Sequence, residues 1–185
     1  MMTISLKDAG KRFNREWIFR HLSYTFNSAE AYAITGPNGS GKSTLLQAIA
    51  GSLMLSEGNC ELTIDQVQLK TDQVYRQISF AAPYLELIEE MTALEFLDFH
   101  SQFKPLYHSA KEILQQINLG HASNKQIRNF SSGMKQRLKL AQAIFSDVPV
   151  VLLDEPCSNL DTEGILLYQK LISDFCKEKL VDRKS

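Results

Sequence analysis

The 185-residue sequence has no apolar run of the roughly 20 residues needed to span a bilayer. Its start, Met1 to Phe13, lacks the apolar stretch of a secretory signal. Charge bias is missing too. Twenty Lys and Arg against 21 Asp and Glu give a formal net charge of -1, so no global positive field points to nucleic acid or anionic lipid. Cysteine is sparse. Cys60, Cys157 and Cys176 are far apart and form no CxxC, which excludes a disulfide framework and reads as reduced thiols. The four histidines, His21, His100, His108 and His121, show no ligand spacing such as HExxH. Internal repeats and low-complexity linkers are lacking as well. These absences point to the cytosol.

What is present suits one domain with a real core. Hydrophobic residues make up 44% and charged residues 22%. From Ile4 to about Phe26 the pattern predicts short strands with turns near Asp8–Lys11 and Asn14–Glu16. Ala31 to Thr35 is a short buried strand, and Lys42 to Ala50 a helix stopped by Gly51. Strand-like alternation returns from Gly58 to about Phe80. Thr92 with Glu95 forms a capping-box pattern that starts a helix. Further helices are expected from Ser109 towards Gly120, from Met134 to Phe145 and from Thr162 to Lys179. Val150-Val151-Leu152-Leu153 is a continuous apolar run, the mark of a central parallel strand. Strands alternating with helices predict an α/β core with a parallel sheet.

Two motifs carry chemistry. Gly36-Pro37-Asn38-Gly39-Ser40-Gly41-Lys42-Ser43-Thr44 matches GxxxxGK[ST] between a predicted strand and a predicted helix. Glycines let backbone N–H groups turn inward around phosphates, and the following helix points its positive end at the same anion. Lys42 is placed to reach the β- and γ-phosphates, Ser43 to ligate Mg²⁺ and Thr44 to donate to a phosphate. The second motif is Asp154-Glu155, delivered at the C-terminal end of the apolar strand, where α/β sheets bind ligands. Asp154 is expected in the Mg²⁺ shell, and Glu155 as the general base for water.

A phosphate loop alone leaves kinases, GTPases and recombinases open. Asn129 to Leu138, with Phe130-Ser131-Ser132-Gly133-Met134 at its centre, resembles the LSGGQ signature of the ATP-binding cassette family, followed by that family's QR at Gln136-Arg137. Ser158-Asn159-Leu160-Asp161 resembles its D-loop. The motifs stand in the family's order and span nearly the whole chain. The resemblance implies a P-loop NTPase with a mainly parallel core sheet, an N-terminal antiparallel β subdomain and an inserted α-helical subdomain at about 84–130. It implies ATP and Mg²⁺ as ligands. It also implies a head-to-tail homodimer or heterodimer of cassettes, in which Ser131, Ser132 and Gly133 cap the nucleotide of the other subunit and Asp161 lies near the interface. Phe13 falls where the family stacks an aromatic on adenine; Trp17 and Phe19 are the alternatives.

Three departures stand out. Phe130, Ser132 and Met134 replace the family's Leu, Gly and Gln. Pro83 occupies the Q-loop glutamine position, with no polar side-chain atom and no N–H; Gln77, Tyr84 and Glu86 are nearby polar groups out of register. No histidine follows Glu155, and a short charged tail stands where the family has an apolar strand and a switch histidine. This reads as a cassette truncated or frameshifted at its end, with an unpaired sheet edge and a tendency to associate. The resemblance implies the energy-supplying ATPase of a transporter, at the inner face of the membrane through an integral membrane permease. Leu85, Leu87, Ile88, Met91 and Phe96 are candidates for the docking groove. The alternatives are a soluble non-transport cassette ATPase, or a nucleotide-binding module with impaired hydrolysis.

Overall fold

The computed structural model describes residues 2–176 and 179–183. Strands β1 (Met2–Phe13) and β2 (Glu16–Asn27) form an antiparallel hairpin. β4 (Glu57–Ile64) pairs on the other side of β1, and β5 (Val67–Gln68) extends the sheet, giving the order β2-β1-β4-β5. Alternation decides the inner face: Met2, Ile4 and Leu6 are buried, while Thr3 and Ser5 are half-buried. The turn expected at Asp8–Lys11 is instead an irregularity within β1, where Asp8 takes a φ of 47° and the register shifts.

The second sheet is parallel, in the order β3 (Ala31–Ala33), β8 (Leu180–Arg183), β7 (Val150–Leu153), β6 (Ile78–Ala81). All four residues of β7 are fully buried, and they serve two cores. Val150 and Leu152 face the antiparallel sheet across helix α1 (Lys42–Ile49), packing with Ile4, Leu46 and Ile49. Val151 and Leu153 face the other way, into a core shared with α5 (Ser132–Ile144) and α6 (Thr162–Phe175). The same core takes in α3 (Ala93–Ser101) and α4 (Ala110–Gln116). A short α2 (Thr71–Val74) connects β5 to β6. Capping boxes at Thr92/Glu95 and Ser109/Glu112 start α3 and α4 where the sequence puts them.

The C-terminal reading needs correction. The last helix stops at Phe175 rather than Lys179, and Leu180–Arg183 is a strand paired on both sides, to β3 and to β7. The strand expected to be missing is therefore present. Backbone N–H and C=O groups in mid-sheet must be paired, and that demand outweighs a polar sequence. Lys179 makes the switch. Its ammonium is buried and donates to Ile144 O at 3.0 Å and Ser146 O at 2.6 Å, capping the C-terminal end of α5. Residues 177–178 and 184–185 lie outside the described residues.

Candidate functional site

Parallel pairing brings the C-terminal ends of β3, β8, β7 and β6 to one edge. The phosphate loop leaves β3 there and Asp154-Glu155 leaves β7 there, on either side of β8. Gly41 takes a φ of 89° at the N-cap of α1, and a Cβ there would overlap Ile18 Cγ2 of β2. Glycine thus lets the hairpin close over the loop. Lys42 is buried, and its ammonium donates to Gly36 O at 2.5 Å and Pro37 O at 2.7 Å. Residues 36–40 are exposed; Ser43 and Thr44 are half-buried in the first turn of α1.

Asp154 is 1% exposed, and its N–H donates to Ala81 O at 2.8 Å, continuing the ladder past the end of β7. Glu155 is exposed and holds a φ of 46°. A left-handed glutamate is strained by about 1–3 kcal/mol, a cost usually met at working sites. Ser158 secures it twice, by N–H to Glu155 O at 3.0 Å and by Oγ to Glu155 Oε2 at 3.3 Å. Cys157 is exposed, and partial burial pushes its thiol pKa up, so it stays protonated beside the carboxylates.

The signature segment opens α5. Ser131 is its N-cap, accepting from Met134 N–H at 3.3 Å, and Ser132 and Gly133 form the first turn. Phe130 is buried, so its replacement of Leu keeps the apolar anchor. A Cβ on Gly133 would sit 3.2 Å from Asn159 O, so the signature backbone packs close to the D-loop. Buried Gln136 adds a bond from its Nε2 to Pro156 O at 3.0 Å. Asp161 caps α6, accepting from Gly164 N–H at 2.8 Å. Gln136 and Ser158 lie inside the signature and D-loop motifs, but their bonds to Pro156 and Glu155 have no local sequence signal, and neither does the approach of Ile18 to Gly41.

Phe13 is 48% exposed at the hairpin tip, with Lys11 Nζ 4.9 Å from its ring centroid. Phe19 is half-buried and packs against the core. Trp17 lies beneath Arg20 and Arg12, at 4.4 and 5.5 Å. Of the groove candidates, Leu87 and Phe96 are buried and Met91 packs on the core, whereas Leu85 and Ile88 are partly exposed. A cleft of about 580 Å³ runs along Pro83–Leu87, Glu89 and Glu90, and α5 contributes Lys135 and Lys139. Among the described residues no group of His, Cys, Asp and Glu could cage a metal by itself, and no helix is long and apolar enough to cross a membrane.

The sequence matches the ABC transporter family over residues 19–158. The chain belongs to that family. It is 30% identical to the ABC transporter ATP-binding protein YybJ of Bacillus subtilis strain 168, over 91% of this chain and 78% of the relative. It is 35% identical to the cytochrome c biogenesis ATP-binding export protein CcmA of Bartonella henselae, over 87% of this chain and 76% of that protein. Two other B. subtilis relatives are longer, and the chain spans 55% of each. The fold superposes with a TM-score of 0.81 on a dimeric post-hydrolysis state of the ATP-binding cassette MJ0796 bound to ADP and Pi. That match is 26% identical over 97% of this chain and 86% of the other. The cassette is thus an ATPase of the kind that supplies energy to a transporter.

Proposed function

We propose that the cassette binds Mg-ATP at the C-terminal edge of the parallel sheet and hydrolyses it in a head-to-tail pair. The observation that carries this is the placement of the phosphate loop and Asp154-Glu155 on one edge, flanking β8. Backbone N–H groups of 36–41 and the N-terminus of α1 hold the phosphates. Lys42 exchanges its carbonyl partners for phosphate oxygens. The donor set fits Mg²⁺: the Ser43 hydroxyl and the Asp154 carboxylate are hard oxygens, and so few protein ligands suit an ion that keeps waters and phosphate oxygens. When bound, the ion neutralises charge developing on the phosphates. Glu155 accepts the proton of the attacking water, its carboxylate oriented by Ser158.

Ser131, Ser132 and Gly133 present hydroxyl and backbone donors to the nucleotide of a second cassette, identical or related, with Asp161 and Asn159 beside that contact. Phe13 stacks on the adenine. The cleft from Pro83 to Glu90 receives an integral membrane permease, which places the cassette at the inner face of the membrane. The relative CcmA is named as an export protein, which supports this placement. Pro83, which offers no polar side chain at the loop after β6, favours a second reading, a nucleotide-binding module with slow hydrolysis. Phosphate release decides between them. The ATPase reading expects turnover in the wild type and none in Glu155→Gln, which retains ATP binding. Binding without turnover in the wild type establishes the second reading.

A further inference from the structure

The loop after β6 has no polar side chain until Tyr84. Ala81 and Ala82 are buried, and Pro83 offers only its carbonyl, which accepts from Lys139 Nζ at 2.7 Å. Tyr84 then reaches α1: Gln47 Nε2 donates to its hydroxyl oxygen at 3.0 Å. The Phe80 ring meets the Tyr84 ring edge-on, with centroids 6.4 Å apart, and helps fix it. Gln47 lies four residues after Ser43 on α1, so the two side chains share one face of the helix. At its other end the loop continues β6, whose Ala81 pairs with Leu153 and accepts from Asp154 N–H. One short segment is thus bonded both to the strand end carrying Asp154 and to the helix face carrying Ser43.

We infer that Tyr84 is a positioning residue of the nucleotide site: through Gln47 it sets α1 against the β6–β7 edge and so fixes Ser43 relative to Asp154. The inference rests on the Mg-ATP reading above. It accounts for Pro83 in this chain. The position that elsewhere in the family supplies a side chain is blank, and its neighbour restores a link, made to the helix rather than to the ligand. The same loop lines the cleft of 580 Å³, so whatever occupies that cleft touches the strap directly.

Tyr84→Phe deletes one oxygen and keeps the ring. The test is equilibrium binding of a fluorescent ATP analogue to the full chain, titrated with Mg²⁺ and repeated in EDTA. The half-saturating Mg²⁺ concentration is expected to rise about three- to tenfold, the worth of one hydrogen bond, with affinity in EDTA unchanged. Gln47→Met should reproduce the shift, and the double variant should add nothing further. Gln47→Met alone carries the test if Tyr84→Phe does not fold. An unchanged Mg²⁺ response, or equal losses with and without Mg²⁺, overturns the inference and leaves the nucleotide reading standing. A folded wild-type chain that binds no analogue under either condition overturns both.

Discussion

Gly41 holds a φ of 89° against Ile18, and both facts forbid a side chain. Gly41→Ala is expected to weaken ATP binding more than about tenfold, because the loop must open to admit the methyl group. Isothermal titration against Mg-ATP measures it, with circular dichroism to confirm folding. His100 makes a separate prediction. Ser146 Oγ donates to Gln142 O at 2.6 Å, so the imidazole must donate its Nε2–H to Ser146 Oγ at 3.0 Å. Burial, and then the neighbouring Lys104, lower its pKa from 6.5 to about 4. The unfolded chain therefore takes up this proton first as pH falls. Stability due to neutral His100 is complete above pH 6.5 and drains away towards pH 4. His100→Gln should flatten that part of the melting-temperature profile relative to wild type. An equally steep profile in the variant counts against it. At this scale the phosphate loop and the acidic pair were legible, because each is contiguous and its residue types have few other uses. Tyr84–Gln47 and His100–Ser146 were not, because their partners meet only after the sheet has formed.

Among the elements, helix ends carry much of the site. Ser131 caps α5 and Asp161 caps α6, and each cap sits inside a motif assigned to the subunit contact. Ser131→Ala is expected to cost about 1 kcal/mol in urea unfolding, with a loss of ATP-driven pairing beyond that cost. Lys179 is the stronger structural test. Its removal in Lys179→Ala leaves the Ile144 and Ser146 carbonyls without their buried cation and should cost about 1–3 kcal/mol. A capping box made α3 readable, and β7 declared itself by four apolar residues in a row. The end of α6 and the existence of β8 were not readable, since Leu180-Val181-Asp182-Arg183 has no strand pattern of its own. Its conformation is imposed by β3 and β7.

For the whole molecule, β7 sits between two cores, so the parallel sheet joins the antiparallel sheet and α1 to the helical side. Glu155→Gln with Mg-ATP should elute as a dimer in size-exclusion chromatography and as a monomer without nucleotide. A monomer under both conditions contradicts the head-to-tail pair. The general architecture was legible from the order of strands, helices and motifs. The unbroken four-stranded parallel sheet was not, because seating β8 between β3 and β7 depends on contacts between segments far apart in the chain. Consider what this means during synthesis. The hairpin and its neighbour β4 leave the ribosome early and can pair while translation continues. β3 also emerges early, yet its partner is Leu180–Arg183, which follows every other described element. Until that strand arrives, β3 and β7 have no common neighbour. The sheet edge that carries the phosphate loop on one side and Asp154-Glu155 on the other becomes continuous when that strand pairs between them.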